Sequence, residues 1–185
     1  MRWYWIDRFE EFVRGQRAVA IKNVALSEEQ FDGYSPGFPL MPASLIVEGM
    51  AQTAGLLIGE MDGFSQRVVL AKIGKAVFHF PARPGDTLRY RATILDVKPD
   101  GAMAAVTSHL ASLGGGERLQ GEVEFMFAFL ADRLLSGPLF EPVDFVAMCR
   151  AFAMYDVGRT PEGQPIQLPE FYAQAEREAQ AKYEA

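Results

Sequence analysis

Residues 31–53 read FDGYSPGFPLMPASLIVEGMAQT, and the fold turns on how this stretch changes character at Ala43. Before that point, residues 32–42 hold two glycines and three prolines, which makes a rigid, irregular loop. From Ala43 to Asp62 the apolar residues recur at helical spacing, with Ser44 placed as an N-cap and Gly63 as a stop. Leu45, Ile46, Met50, Leu57 and their neighbours cover this helix nearly all round, and a helix apolar on every side is buried. Gly49, Gly55 and Gly59 cover little and allow another backbone to come close. One carboxylate, Glu48, sits inside the apolar run. Ser44, Glu48 and Gln52 stand four residues apart and share one helical face. An unpaired buried carboxylate costs several kcal/mol. Glu48 therefore either satisfies Gln52 or a loop backbone group, or is held ready as an acid or base. The free N–H groups at the helix start would lie beside that polar stripe, a place to stabilise a developing oxyanion.

Working outward, residues 4–13 are aromatic-rich and residues 17–26 (RAVAIKNVAL) alternate cleanly, so the break at Arg14-Gly15 predicts a β-hairpin. Ser27 to Gln30 fit a single helical turn. After the long helix, strands are expected at 67–80, 87–97, 102–113 and 117–130, each break carrying Gly or Pro, in an antiparallel meander. Hairpin, buried helix and antiparallel strands make an α+β layer in which a sheet wraps one helix. Beyond residue 131, residues 142–155 have helical spacing with Pro at the first turn. A loop at 156–169 leads to EFYAQAEREAQAKYEA, a helix-favouring composition. The expected organisation is a domain over 1–130 with a helical extension over 131–185.

The bulk composition narrows the function. A chain of 185 residues with 49% hydrophobic and 23% charged residues is globular in type. A net charge of −6 argues against nucleic-acid binding, because no basic excess is available to neutralise phosphates. The start, MRWYWIDRFEEF, lacks the apolar core of a signal peptide, and the run from Leu45 to Ile58 is too short and too interrupted to span a bilayer. A single cysteine, Cys149, excludes an internal disulfide and fits a reducing compartment, so a cytoplasmic protein is expected. Two histidines and one cysteine, widely separated, make no metal-ligand cluster, and no cofactor is expected.

The stretch GYSPGFPLMPASLIVEGMAQ resembles the signature of the 3-hydroxyacyl-[acyl-carrier-protein] dehydratases. AIKNVALSEEQF upstream and LAKIGKAVFHFPARPGDTLRY downstream are similar to two further segments of that family, in the right order. The likeness covers residues 4–130 and leaves the tail from 131 unaccounted for. It implies a hot-dog fold: a long central helix wrapped by an antiparallel sheet, forming a homodimer or a higher homo-oligomer. It also implies an acyl-carrier-protein or acyl-coenzyme A substrate whose chain lies in an apolar tunnel. In the family a histidine removes the C2 proton of a 3-hydroxyacyl thioester. An acidic residue of the partner subunit protonates the departing hydroxyl, and a backbone N–H at the helix start binds the thioester oxygen.

Carried over by position, the acidic residue is Glu48, the glutamine after it is Gln52, and the residue supplying the N–H is Ala43, where the family has glycine. Gly37, Phe38 and Ser44 complete the expected substrate-binding set, Ser44 by its place on the Glu48 face and Phe38 by its place in the loop, where it would narrow the mouth. The histidine position holds Tyr34. A free phenol, with a pKa near 10, is ionised about once in a thousand at neutral pH, so Tyr34 is a poor base and a good hydrogen-bond donor. His79 and His109 lie on expected strands outside the motif. Three functions remain open: a dehydratase or hydratase in which Glu48 moves the proton and Tyr34 orients the hydroxyl, a non-catalytic acyl-thioester binder, and a thioesterase. Arg67, Lys72, Lys75, Arg83, Arg89 and Arg91 lie in one stretch with a single acid, Asp86. They form either a solvated strand face or a patch for an acidic carrier or a coenzyme A phosphate.

Overall fold

In a computed structural model of the chain, which describes residues 3–34, 37–111, 116–130 and 139–183, the segment after Pro42 is the long helix expected from its spacing. Ahead of it come β1 (Arg8–Val13), β2 (Arg17–Asn23) and the short α1 (Gln30–Tyr34); the helix itself is α2 (Ala43–Glu60). Its N-cap is Pro42 rather than Ser44. Proline fixes φ, and its carbonyl accepts the N–H of Leu45 at 3.0 Å and of Ile46 at 3.2 Å, so the helix starts without a side-chain cap. Ser44 falls within the first turn and is exposed.

The strands that follow are β3 (Arg67–Phe78), β4 (Thr87–Lys98), β5 (Gly101–Ala111) and β6 (Glu117–Leu130). With β1, β2 and β7 (Gly158–Arg159) they form one sheet in the order β3-β6-β5-β4-β2-β1-β7. The expected consecutive meander holds for β4, β5 and β6 only. β3 pairs antiparallel with β6 instead of with β4. The connection at 79–86 carries Pro81 and Pro84, which cannot supply the donors of a tight hairpin, and the chain crosses past β6 and β5 to the middle of the sheet. α2 packs on β2, β3, β4, β5 and β6. Ile46, Met50 and Leu57 from the helix meet Leu88, Tyr90, Val106 and Phe125 in a core that excludes water. A long helix enclosed by an antiparallel sheet is the hot-dog architecture.

The strand written AIKN is anchored by its own polar residues. Lys22, nearly buried, is paired with Glu28 in the turn that follows and lies 3.5 Å from Asp7, while its ammonium donates to the Asn23 carbonyl at 2.8 Å. A buried cation held by two acids and a carbonyl explains why a lysine and an acidic turn occur together.

The C-terminal segment is built against this frame. α3 (Pro142–Ala151) starts on Pro142 and ends where Ala153 takes a left-handed conformation (φ 53°), so the expected helix over 142–155 breaks into α3 and α4 (Met154–Val157). β7 then pairs parallel with β1, and α5 (Glu170–Tyr183) packs on α3. The Phe9 N–H donates to the Phe152 carbonyl at 2.8 Å and the Arg14 N–H to the Arg159 carbonyl at 2.9 Å. Phe145, Val146, Cys149 and Met154 belong to the same buried core as the sheet. Burial pushes the Cys149 thiol up to about 12, so it is protonated and inert at neutral pH.

Candidate functional site

Glu48 lies on the half-buried face of α2 and accepts a hydrogen bond from the Gln52 amide, Nε2 to Oε1, at 2.9 Å. Both ends of that amide have backbone partners. Its oxygen accepts the Trp5 N–H at 2.9 Å, and its nitrogen donates to the Trp3 carbonyl at 2.9 Å. A backbone donor on one side and a backbone acceptor on the other fix which end of the amide is nitrogen. Gln52 therefore presents a donor to Glu48 and has no alternative orientation.

This clamp depends on Gly49. A Cβ there would stand 2.5 Å from the Trp5 carbonyl oxygen and 2.6 Å from the Tyr90 ring. Only glycine lets the N-terminal segment cross α2 closely enough for Trp3 and Trp5 to reach Gln52. The two indoles pack edge to face with centroids 5.3 Å apart. The sequence offers the glycine and the glutamine, but the partners lie 47 and 49 residues away, and no local pattern marks them.

Beside the pair is a cavity of about 620 Å³. Glu48, Ala51, Gln52, Gly55 and Leu56 form its floor, the i, i+3, i+4, i+7, i+8 face of α2. Val68, Leu70 and Phe127 line it from the sheet, and Phe140, Phe145, Met148 and Phe152 from the C-terminal segment. Glu48 and Gln52 belong to its polar lining, with Glu141 and Asp144 of the C-terminal segment; the floor beyond them is apolar.

The other residues of the expected set lie elsewhere. Ala43 and Ser44 are exposed at the first turn of α2 and do not line this cavity. Helix geometry leaves their N–H groups without intrahelical partners. Phe38 is exposed with its ring under the Arg83 guanidinium at 4.6 Å, and Gly37 takes φ 89° beside it. The Met41 N–H donates to the Ala82 carbonyl at 2.8 Å, tying this loop to the connection before β4. Tyr34 ends α1, and its side chain lies outside the described residues. His79 is exposed. His109 on β5 stands opposite Arg89; partial burial, then Arg91 and Arg89, hold its pKa below the ordinary 6.5. Neither histidine lines the cavity.

Much of the basic stretch is neutralised. Arg89 is paired with Glu10 and Glu117, Arg91 with Glu117 at 2.7 Å, and Lys75 lies 3.8 Å from Glu122. The deeply buried carboxylate of α2 is a second one, Glu60, at 0% exposure. Arg14, in the β1–β2 turn, donates to it through Nε at 2.9 Å and also through its terminal nitrogen. The expectation of one carboxylate in the helix is corrected accordingly: Glu60 is the ion-paired core acid, and Glu48 is half-buried at a cavity. No helix among the described residues is long and apolar enough to cross a membrane.

Residues 3–119 match the family model described as a FabA-like domain. A 3-hydroxyacyl-[acyl-carrier-protein] dehydratase FabZ of Desulforamulus reducens is 39% identical over 124 residues, which is 66% of this chain and 84% of that protein. The FabZ of Clostridium acetobutylicum is 34% identical over 122 residues, 65% of this chain and 84% of that one. Among solved structures, AziG of S. sahachiroi superposes with a TM-score of 0.53 at 18% identity, covering 66% of this chain and 90% of that chain. An acyl-CoA hydrolase variant from Staphylococcus aureus, in complex with coenzyme A, gives 0.55 at 13% identity over 94% of this chain and 92% of that chain. At such identities these two structures speak for the fold alone.

Proposed function

The chain belongs to the FabA-like domain family, and from that premise we propose that it binds acyl thioesters beside Glu48 and removes or adds water across C2 and C3 of the acyl chain. One observation carries this reading: a carboxylate held by an amide that two backbone groups fix in place lines a cavity whose floor beyond Gln52 is apolar. In the dehydration direction the Glu48 carboxylate takes the C2 proton. The C3–O bond then breaks, C2 and C3 become doubly bonded, and the same proton leaves with the hydroxyl as water. The N–H groups at the first turn of α2 serve the thioester oxygen as charge builds on it. Tyr34, in the position where the family has histidine, orients the C3 hydroxyl as a donor. An acyl carrier protein or coenzyme A delivers the chain.

The acting form in this reading is a homodimer. Among the described residues β3 is an edge strand with no partner on its outer side, 12 residues long, with Leu70 and Ile73 exposed at 41% and 43%. Such an edge pairs with another strand unless it is blocked.

Purified protein assayed with 3-hydroxyacyl and trans-2-enoyl thioesters, following hydration and thiol release separately, tests the proposal. Hydration that Glu48→Gln lowers by at least about a hundredfold supports it. Hydration that survives Glu48→Gln removes Glu48 from the mechanism, and thiol release without hydration makes the protein a thioesterase. Tyr34 itself favours a second reading, a binder that holds acyl thioesters without turnover. Saturable binding with neither reaction selects that reading, and a gain of dehydration in Tyr34→His fixes its cause.

A further inference from the structure

The end of the groove opposite Glu48 is made by the C-terminal segment, which lies outside the residues matched by the family model. From Glu48 to Leu56 the floor runs about 12 Å along α2. Beyond Leu56 lies a second cavity of about 620 Å³, floored by the continuation of the same helix face at Gly59 and bounded by Phe64, Phe171 and Tyr172. The two spaces share Leu56, Val68, Leu139, Phe140 and Phe145 as lining. Two of these shared residues are aromatic rings in contact with each other. Phe145 is buried, edge-on to Phe64 at 4.7 Å and 5.0 Å from Tyr172. Phe140 stacks on it at 5.6 Å with the planes 19° apart, and is itself 56% exposed. One ring is fixed by the core; the other is more than half exposed and stacks on the first.

Resting on the acyl-thioester reading above, the geometry points to Phe140 and Phe145 as the partition that sets the longest acyl chain the groove accepts. The occupant is an uncharged acyl chain. The floor beyond Gln52 is apolar, and the acids that line the cavity, Glu48, Glu141 and Asp144, repel the carboxylate of a free fatty acid. With the partition in place the chain stops beside Leu56. Without Phe140, the space along Gly59 and Phe64 becomes a continuation of the groove.

Binding of saturated acyl-pantetheine thioesters from four to sixteen carbons tests this, because these ligands cannot be dehydrated and carry no phosphate. In the unmodified protein affinity rises about fourfold per buried methylene until the chain meets the partition, then flattens or falls. Phe140→Ala, a change at an exposed side chain that leaves the core intact, moves the break to longer chains by two carbons or more. Met148→Trp, which fills the groove ahead of the partition, moves it to shorter ones. A break that stays in place in both variants, while the unmodified protein binds, overturns the partition and leaves the acyl-thioester reading standing. No binding at any length overturns both. Tighter binding of free fatty acids than of thioesters, or a groove that Phe140→Ala alters only by changing the oligomeric state, also overturns the assignment.

Discussion

Glu48 accepts its hydrogen bond from Gln52, one helical turn later, at 2.9 Å, and Gln52 is in turn gripped by the backbone of Trp3 and Trp5. The carboxylate is thus oriented by a segment far away in sequence. Gln52→Ala frees Glu48 and leaves the Trp5 N–H without its acceptor. The expected result is a loss of about 1–3 kcal/mol in stability together with a kcat lowered about tenfold to a hundredfold through misplacement of the acid. Thermal denaturation and steady-state hydration kinetics measure the two effects separately. An unchanged kcat would show that Glu48 needs no such support.

Gly49→Ala sets two effects against each other. Alanine is the better helix former by up to about 1 kcal/mol. The added methyl, however, meets the Trp5 carbonyl at 2.5 Å and the Tyr90 ring at 2.6 Å, and overpacking of this kind costs about 1–3 kcal/mol. The clash wins, and the variant melts lower. Gly55→Ala is the control, since its methyl would lie 3.4 Å from the edge of Phe127, a contact that a small ring movement relieves. Equal melting of the two variants would remove close backbone approach as the reason for Gly49.

The elements visible in the sequence are those whose signal is local. α2 announces itself by periodicity and by the proline-rich loop before it, and β6 occupies 117–130 as its pattern predicts. The Glu48–Gln52 stripe follows from spacing alone. What escapes is non-local. The pairing of β3 with β6 depends on a crossover, not on a turn signal. Glu60 looks like a helix-end residue until Arg14, 46 residues earlier, is seen to neutralise it. The groove wall from Phe140 to Phe152 falls largely in the segment that reads only as a helix over 142–155, and only its place on the same cavity as α2 gives it a ligand-facing side.

The Arg14–Glu60 pair can be separated from its surroundings by a double-mutant cycle. Arg14→Met leaves a fully buried carboxylate uncompensated, at a cost of about 3–5 kcal/mol. Adding Glu60→Met removes the stranded charge and restores most of that loss, because apolar replacement of a buried pair is often close to neutral. Chemical denaturation of the two single variants and the double variant measures the coupling. Strict additivity would mean that the pair contributes nothing as a pair.

The open edge of β3 makes a concrete prediction about assembly. Ile73→Lys adds a fourth positive charge to a strand that already carries Arg67, Lys72 and Lys75, which disfavours pairing with a second strand. Sedimentation velocity should show the species shifting toward monomer, with melting losing its dependence on protein concentration. Should the unmodified chain sediment as a monomer at high concentration, the dimeric form of the site is excluded.

Stability should fall on acidification, in two stages. His109 is held below its ordinary 6.5 by partial burial and by Arg91 and Arg89, so the unfolded chain binds that proton more readily than the folded one. Its contribution is complete above pH 6.5 and is lost as pH falls through the lowered folded value. Glu10 and Glu176 are held below 4.5, chiefly by hydrogen bonds from Arg89 and Arg150, and their contributions disappear as pH falls from 4.5 through their folded values. Arg14 is raised above its ordinary value by its hydrogen bond to Glu60 and stays charged throughout this range, so it adds no slope. The melting temperature should therefore begin to drop below pH 6.5 and drop further below 4.5. His109→Gln flattens the upper stage and leaves the lower one, whereas Glu176→Gln shrinks the lower stage and leaves the upper. A profile flat from pH 7 to 5 in the unmodified protein would show that His109 is equally basic folded and unfolded.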